Sequence, residues 1–480
     1  MVAREPRTPS VTHSEEIGHG TVRQQRRQRF VVVRRHLDFA PPLRKCGEVA
    51  QDRSPISEPA LVAPASAVDA AASDEGMLYN PFAPGFAEDP YAQYATIRAA
   101  GRMHRNPLGL RVLSHFDDCF ALLRLAGTSV DEDKATNLVR PPLPEELSDT
   151  LRSRSRSILS LDPPDHTRLR RLVSSAFTVR RIERLRERVA ALVLDLLDDL
   201  AVAGRDGEPV DLISQFAFPL PFTVISELLG MPEGDRDELR SWSHDMTNSI
   251  EPFQDEPTMR RMVTSGEKMF AHIDEVIEWK RRNPADDLLS GMIAAEEDGD
   301  RLTQDELRDQ VVLLYLAGHE TTVNLIGNGT LALLRHRDQF ERLVADPSVD
   351  ANAVDELLRY DSPVQVSRRI TTTEVELAGE PVPAGEAVLT LLGSSNRDEA
   401  KWGPTADDLD LGREGASGHL SFGSGIHHCL GSALARLEGA EAVPALVRRF
   451  PTMELATDAP AWNGRIVLRG LDALPVTVAG

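Results

Sequence analysis

The fold of this chain is decided by ten residues, Phe422-Gly423-Ser424-Gly425-Ile426-His427-His428-Cys429-Leu430-Gly431, which run into the mostly apolar stretch 432–437. Glycine occupies three of the ten positions, where it lets the backbone turn sharply and approach a flat, bulky group. The other cysteines, Cys46 and Cys119, lie far away in sequence. A lone cysteine is more often a small core residue than a ligand. The full spacing Phe-x-x-Gly-x-His-x-Cys-x-Gly is much more specific, and it favours a thiolate that binds a metal-containing cofactor.

Composition excludes several classes of protein. The chain has 480 residues and a net charge of -21, whereas a nucleic-acid binder needs a basic surface. Its three cysteines form no C-x-x-C pair, so the sequence predicts neither a disulfide framework nor a zinc site built on cysteine pairs. No apolar run approaches the roughly 20 residues that span a bilayer. We therefore expect a soluble, cytoplasmic protein that binds neither nucleic acid nor membrane.

Residues 1–76 differ in composition from the rest of the chain. Residues 1–53 carry 11 Lys/Arg against 6 Asp/Glu, a net charge of +5, which leaves -26 for the remainder. Neither the basic stretch 24–29 nor the Ala/Pro-rich stretch 60–73 shows a helix or strand period, so we predict a disordered extension. A nucleic-acid or membrane-surface tail, or a true start at Met77, are the alternatives.

The hydrophobic pattern of residues 77–480 predicts a single, mainly α-helical domain with a minor β-sheet. Apolar residues recur at the helical period of 3.6 in Arg180–Leu200 and Pro257–Arg282. Short β-rich runs are bounded by Gly and Pro turn signals. The strand candidates are Val375–Leu377, Val388–Leu392, and a hairpin of Ile466–Leu468 with Leu474–Val478.

A long apolar helix with polar residues in its middle is the second informative feature. Thr303 and Glu306 form a capping-box pattern that predicts its start, and residues 311–316 are apolar nearly all round. The helix then contains Ala317-Gly318-His319-Glu320-Thr321-Thr322, where the glycine costs about 1 kcal/mol relative to alanine. A buried acid also costs stability unless it is paired. These residues favour a functional site; the alternative is that Glu320 lies on a polar face and Thr321 bonds back to a carbonyl.

The cysteine stretch and residues 317–322 together resemble two motifs of the cytochrome P-450 family. The resemblance covers residues 77–480 and implies that family's fold, with haem b (iron protoporphyrin IX) between a long distal helix and the helix after the cysteine. It implies that Cys429 is the axial iron ligand, whose thiolate favours O–O bond cleavage. Ala317 and Gly318 would leave room for dioxygen and substrate. Glu320 and Thr321 would relay protons to the distal oxygen.

Haem carries two propionates, so cations and hydrogen-bond donors are expected around them. By resemblance, His166 and Arg170 supply two of these groups, and Arg369 and His427 supply two more. Arg368 competes with Arg369, because a shift of one residue moves a side chain to the other face of a strand. The other cofactor contacts that the resemblance implies are Phe422, Gly423 and Gly431.

Glu356 and Arg359 match the family's Glu-x-x-Arg pair, which is structural rather than catalytic. Their i,i+3 spacing allows an ion pair on one helix face, although surface pairs at that spacing are common. Many relatives supply a third partner from a Pro-x-Arg-Phe stretch, which this chain replaces by residues 406–409. The third partner therefore stays open, with Arg413 as a possible substitute.

The resemblance implies a monooxygenase of bacterial secondary metabolism, which inserts one oxygen atom of O2 into a C–H or C=C bond of an apolar or amphipathic small molecule. Electrons would come from a separate ferredoxin and its NAD(P)H-dependent reductase, because the chain has no G-x-G-x-x-G finger. Arg168, Arg171 and Arg436 are candidates for a basic patch that attracts ferredoxin; an ordinary solvated surface is the alternative. We expect the protein to act as a monomer.

Two other functions share the cysteine stretch. One is a haem-thiolate enzyme of another class, such as a peroxygenase, isomerase or nitric oxide reductase, and the other is a non-enzymatic haem sensor. Adjacent acid and alcohol groups count against both, because they suit proton delivery during oxygen activation. The resemblance implies pocket walls from residues 125–157, 242–253, 316–317, 364–366 and 467–468, and these do not identify the substrate.

Overall fold

The structure of the chain, a computed structural model, describes residues 79–106, 109–138, 147, 157–232, 236–297 and 300–478. They belong to one compact unit, Ala60–Gly480. The predicted extension, residues 1–76, lies outside the described residues and stays a prediction. Among the described helices, none is both long and apolar enough to cross a membrane.

Helices dominate the described part of the chain, as the hydrophobic pattern predicts. In chain order they are α1 (Tyr91–Ala100), α2 (Phe116–Arg124), α3 (Asp165–Ala176), α4 (Val179–Glu183), α5 (Arg186–Ala203), α6 (Pro219–Leu229), α7 (Arg236–Thr247), α8 (Glu256–Arg282), α9 (Leu288–Ala294), α10 (Gln304–Arg335), α11 (Arg337–Ala345), α12 (Asp350–Tyr360), α13 (Leu392–Ser395), α14 (Glu399–Trp402) and α15 (Ser432–Arg449).

The longest of these helices, α10, runs through the main hydrophobic core. Its predicted start is confirmed: the Thr303 side chain accepts from the Glu306 N–H, and the Glu306 carboxylate accepts from the Thr303 N–H. It packs against α6, α7, α8, α12 and α15. Because neighbours surround it, residues on nearly every face of α10 are buried.

Strands are short and form several small sheets. They are β1 (Met103–Arg105), β2 (Arg111–Leu113), β3 (Thr128–Ser129), β4 (Val210–Asp211), β5 (Glu296–Glu297), β6 (Asp300–Arg301), β7 (Val366–Thr371), β8 (Val375–Leu377), β9 (Glu380–Val382), β10 (Ala387–Leu391), β11 (Glu454–Leu455), β12 (Ala461–Trp462), β13 (Leu471–Ala473) and β14 (Pro475–Thr477). The largest sheet has the order β1-β2-β10-β7-β3, with β10 parallel to β2 and antiparallel to β7. Another sheet has the order β11-β14-β4, and three pairs complete the set: β12-β13, β5-β6 and β8-β9.

Two sequence-based predictions need correction. The helix predicted over Arg180–Leu200 is divided into α4 and α5, because the Leu185 N–H bonds to the Ile182 carbonyl, an i to i−3 contact that interrupts the regular ladder. The hairpin of Ile466–Leu468 with Leu474–Val478 is wrong. Residues 466–468 form no strand there, and β14 pairs with β11 and β4 instead.

Candidate active site

The cysteine loop folds against the end of α2. The Cys429 N–H donates to the Phe422 carbonyl at 2.9 Å, and residues Gly425–His427 between them form a single 3-10 turn. Gly425 has φ +72°, and a Cβ there would lie 2.4 Å from the Leu123 carbonyl oxygen. Glycine is therefore required at 425 by both conformation and space. Gly423 also has φ +65°, but nothing lies within 4 Å of its Cβ position.

The Cys429 sulfur lies at the N-terminus of α15. Burial raises the pKa of its thiol, while the Gly431 N–H and the charge of Arg170 act in the opposite direction. A helix N-terminus and a nearby cation favour a thiolate. A bound metal cation would supply the further positive charge that a buried thiolate needs, so this position fits an axial ligand.

Three groups predicted to hold the propionates lie together beside this loop. The His166 and His427 rings are 4.3 Å apart between centroids, and burial together with the charge of Arg369 lowers the pKa of His427 to about 3. Both nitrogens of the buried His166 lack a hydrogen-bond partner among the described residues. Burial also lowers the pKa of Arg369 to about 10. The charge of Asp162 acts on all three groups, but no carboxylate is hydrogen-bonded to them among the described residues. The two carboxylates of haem therefore fit this cluster of donors.

The register of β7 places Arg368 and Arg369 on opposite faces of the strand. Arg369 pairs with Val388 of β10 and is buried, and its guanidinium donates to the Ser367 hydroxyl and the Arg368 carbonyl. Arg368, one residue earlier, turns to the other face, where it pairs with Glu132. The structure thus brings Arg369, and not Arg368, to His166 and His427.

Arg170 takes a different position from the other three candidates. It lies one turn after His166 on α3, and its Nη2 donates to the His428 carbonyl at 2.7 Å. This contact ties α3 directly to the cysteine loop. The positive charge of Arg170 is also close enough to Cys429 to favour its thiolate.

One face of the buried helix α10 remains accessible. Ala317 is exposed, and Leu313, Leu316 and Thr321 are partly exposed at the i+3/i+4 spacing of one face. The Thr321 hydroxyl donates to the Ala317 carbonyl at 3.0 Å. The back-bond that the sequence offered as an alternative is therefore present, on a face with room for a ligand.

Gly318 is partly exposed as well, but the position of its missing side chain faces α6. A Cβ at 318 would lie 2.9 Å from Cδ1 of Ile225 on α6. The missing side chain thus allows α10 and α6 to pack closely. That Gly318 also leaves space for dioxygen stays a prediction.

Glu320 is buried and ion-paired. Its Oε1 accepts from Arg465 Nη1 at 2.6 Å, and both side chains are only about a tenth exposed, at 11% and 9%. Burial alone would raise the pKa of Glu320, but Arg465 and then His319 outweigh it and hold the pKa below its ordinary value. The carboxylate is thus ionised at neutral pH, and it does not lie on a solvated polar face.

No motif in the sequence points to Arg465 or to Glu251, the carboxylate that holds the segment after Arg465. Glu251, between α7 and α8, accepts from the backbone N–H groups of Ile466, Val467 and Leu468 at 2.9 to 3.2 Å. Neither residue belongs to a known motif. Arg465 is 145 residues from its partner Glu320 in the sequence, and Glu251 is 215 residues from its partner Ile466.

The Glu356–Arg359 pair has a third partner. Arg359 forms two hydrogen bonds to Glu356, at 2.7 and 2.8 Å, and both side chains are fully buried. Arg413 Nε donates to Glu356 Oε1 at 3.1 Å, so the substitute that the sequence suggested is the residue found there. Arg359 also donates to the carbonyls of Ala406 and Asp408, which ties α12 to the segment before the cysteine loop.

The basic patch suggested for ferredoxin is largely neutralised. Arg168 pairs with Glu306 and Asp300, and Arg436 donates to Asp355 at 2.8 Å. The carboxylate partners of Arg168 and Arg436 favour the alternative of an ordinary helix surface.

Comparisons with known proteins agree with this site. The family described as Cytochrome P450 matches residues 132–346 and 349–461. "Cytochrome P450 107B1" of Saccharopolyspora erythraea is 46% identical over 66% of this chain and 76% of its own length. "Vitamin D(3) 25-hydroxylase" of Pseudonocardia autotrophica is 40% identical over 83% of this chain and 96% of its own. Among solved structures, the Bacillus subtilis bacillaene polyketide synthase cytochrome P450 PksS has a TM-score of 0.74 at 35% identity, over 84% of this chain and 100% of its own.

The family match spans both the helix with the accessible face and the loop that carries Cys429. The relatives with which it aligns at 40% identity or more are named as P450 enzymes or hydroxylases. The chain belongs to the cytochrome P450 family and is a monooxygenase that uses haem b and O2.

Proposed function

We propose that this monooxygenase hydroxylates or epoxidises a large apolar or amphipathic secondary metabolite of polyketide type. Two relatives support this class by name: "6-deoxyerythronolide B hydroxylase", 42% identical over 66% of this chain, and the polyketide-biosynthesis enzyme PksS. Secosteroids are the alternative, which the name of the vitamin D(3) hydroxylase supports. Both classes are bulky and mostly apolar, as pockets of this kind require.

Three of the expected pocket walls meet in a way that suits such a substrate. Val364 and Leu468 form an isolated β-bridge, and the Gln365 N–H donates to the Val467 carbonyl at 2.9 Å. Glu251, at the end of the expected wall 242–253, binds the same segment. Because the backbone of these segments is hydrogen-bonded, their apolar side chains form a rigid pocket wall. Such a wall selects substrates by shape rather than by charge.

The side chains of the site take separate roles. Cys429 would be the ligand to the haem iron, and His166, Arg369 and His427 would bind the two propionates, while Arg170 holds the cysteine loop through its bond to the His428 carbonyl. Haem, when bound, supplies the oxygen-activating chemistry. The Thr321 hydroxyl would hold a water molecule at the accessible face of α10. Glu320 is ionised while it is paired with Arg465. Once released from Arg465, it would take up a proton from bulk water and pass it to the water molecule at Thr321.

The observation that carries the proposal is the Cys429 thiol in a loop beside His166, His427 and Arg369, to which no carboxylate is hydrogen-bonded among the described residues. The test is the absorption spectrum of the reduced, CO-bound protein, where a strongly red-shifted Soret band reports thiolate ligation. Cys429→Ser should abolish that band. A retained band would overturn the assignment of Cys429.

Product formation separates the rival functions. We expect polyketide macrolactones to convert low-spin to high-spin haem, and their oxidation to require both O2 and a reductant. Turnover with peroxide alone or without O2 would indicate a peroxygenase or an isomerase. Absence of turnover with every redox partner would favour a sensor.

Ferredoxin is proposed as the electron donor, which places the enzyme in the cytoplasm with its NAD(P)H-dependent reductase. A cysteine-side surface, made of Phe120, Arg124 and Ile426, offers a docking site. Ile426 is 54% exposed and Phe120 39%, and the Arg124 guanidinium lies 5.1 Å from the Phe120 ring centroid. An apolar centre with a cation suits a small acidic carrier.

Arg124→Glu tests this docking site. We expect it to lower the ferredoxin-driven rate about tenfold at low salt, because a like charge would face the carrier. Formation of the CO-bound absorption band after chemical reduction with dithionite needs no carrier and should not change. An equal loss in both assays, or in neither, would contradict the docking site.

A further inference from the structure

We infer that Glu251 is a positioning residue for Glu320, acting through residues 465–468, which contact both carboxylates. This inference rests on the proposed role of Glu320 as a proton donor. If the inference is correct, the segment between α7 and α8, which carries Glu251, influences whether Glu320 on α10 is protonated.

The first link is the contact of Glu251 with the segment 466–468. Glu251 follows the 3-10 turn Asn248–Ile250 and is 9% exposed. Its two oxygens accept from three consecutive backbone N–H groups, those of Ile466, Val467 and Leu468. Consecutive N–H groups that converge on one anion form a nest, and charged acceptors make such bonds about twice as strong as neutral ones. The carboxylate therefore holds the N–H groups of this segment, whose other backbone contacts include the Val364–Leu468 bridge and the Gln365 N–H, which donates to the Val467 carbonyl.

The second link is Arg465, the residue directly before the nest. Its Nη1 donates to Glu320 Oε1 at 2.6 Å, and its own N–H bonds to the Asn463 side chain at 3.1 Å. Because the Ile466 N–H is held by Glu251, the backbone carrying Arg465 is fixed on both sides. Loss of Glu251 would let Arg465 leave Glu320.

The protonation of Glu320 depends on Arg465, because no other group near Glu320 among the described residues supplies an equivalent positive charge. The titratable and charged groups that face it are Arg465, His319, His244 and Asp472. Burial lowers the pKa of His319, so that ring is neutral at pH 7. Without Arg465, the buried carboxyl is left with the burial that raises its pKa, and it takes up a proton. If the segment between α7 and α8 moved away from residues 466–468, Glu320 would thus change from an ion-paired carboxylate to a protonated carboxylic acid.

Asp255 provides a matched control. It lies four residues after Glu251 and caps α8 by accepting the Thr258 N–H at 2.8 Å. Within the described part of the chain, it makes no hydrogen bond to residues 465–468. Asp255→Asn therefore removes a nearby carboxylate that caps backbone without touching the proposed link.

The experiment compares Glu251→Ala, Glu251→Gln, Arg465→Leu and Asp255→Asn in the haem-loaded protein. Hydrogen exchange of residues 463–470 reports the segment, and the infrared carboxyl band that Glu320→Gln removes reports the protonation of Glu320. Glu251→Ala should speed exchange at 466–468 about tenfold or more, since a hydrogen bond to a charged group contributes 1.5–3 kcal/mol. It should also raise the pKa of Glu320 by about one unit or more, as Arg465→Leu should directly. Glu251→Gln, which keeps an acceptor oxygen and the side-chain shape, should give smaller changes of the same sign, and Asp255→Asn should give none.

The link is overturned if Glu251→Ala leaves the pKa of Glu320 unchanged while Arg465→Leu raises it, or if Asp255→Asn acts as strongly as Glu251→Ala. It is also overturned if Arg465→Leu has no effect on that pKa. Neither readout needs turnover. If the link holds but Glu320→Gln leaves product per electron unchanged, the proposed proton role of Glu320 fails and the positioning role of Glu251 stands.

Discussion

Thr321 carries the hydroxyl that the accessible face of α10 presents beside Ala317. Because its proton is donated to the Ala317 carbonyl, its oxygen can accept a proton-bearing water. We predict that Thr321→Ala lowers product per NAD(P)H about tenfold or more, with release of peroxide, because positioned proton delivery contributes 10²–10⁴-fold in rate. The measurement is the ratio of product to NAD(P)H consumed.

Two variants serve as controls for this prediction. Thr321→Ser keeps the hydroxyl and should restore most of the coupling. Thr322→Val changes the adjacent threonine, which is 2% exposed and so lies away from the accessible face, and it should leave coupling unchanged. Wild-type coupling in Thr321→Ala would refute the proton role of Thr321.

Individual site residues could be predicted from the sequence where a local motif carries them. Cys429, His166 and Arg369 are found in one region of the structure, as their motifs implied. Arg465 could not be found this way, because the contact with Glu320 depends on how the chain returns to α10 after 145 residues. Burial and pairing decide whether an acid is charged, and neither can be read from an adjacent Glu-Thr pair.

Gly425 allows the cysteine loop to pack closely against the end of α2. We predict that Gly425→Ala destabilises the protein and disturbs the thiolate signature, because its Cβ would overlap the Leu123 carbonyl of α2 as well as strain the φ of +72°. Gly423→Ala has the same strain without the overlap and should cost only about 1 kcal/mol. The measurements are thermal unfolding and the reduced CO spectrum. Equal effects of the two variants would contradict the role of close packing.

The buried pair in α12 should be sensitive to the loss of one partner. Glu356→Gln leaves Arg359 and Arg413 buried without a carboxylate, and we predict a loss of about 3–5 kcal/mol in the free energy of unfolding. Glu278 and Arg281 have the same i,i+3 spacing but are 56% and 40% exposed, so Glu278→Gln should cost under about 1 kcal/mol. Urea unfolding measures both. Similar losses at the two sites would show that burial does not matter here.

Helices were easier to predict than strands for a physical reason. The start of α10 is set by groups within four residues, Thr303 and Glu306, so the sequence alone specifies it. Residues 466–468 have the composition of a strand, yet their N–H groups are satisfied by Glu251, which lies more than 200 residues earlier. Where distant groups satisfy the backbone, local alternation of apolar residues does not identify the partner.

The arrangement of the chain before and after the cysteine loop also depends on the charge of Asp355. This carboxylate joins three elements: it lies on α12, accepts from Arg436 of α15 at 2.8 Å, and lies 3.2 Å from His419 Nε2 in the segment before the cysteine loop. Burial would raise the pKa of Asp355, but the hydrogen bonds of His419 and Arg436 hold it below its ordinary value. Ionised Asp355 therefore stabilises the fold.

The sign of the pH dependence follows from that lowered pKa. The stabilisation is fully present above the pKa of an unfolded aspartate, about 3.9, and it is lost as the pH falls through the lower pKa of the folded state. We predict that Asp355→Asn costs about 1–3 kcal/mol at pH 7, as expected for a buried charge-assisted bond. The difference from wild type should shrink below about pH 4, because the wild-type carboxyl then becomes neutral as well. Urea unfolding followed by circular dichroism between pH 3 and 7 measures this, and a difference that stays constant over that range would show that the charge of Asp355 does not hold the three elements together.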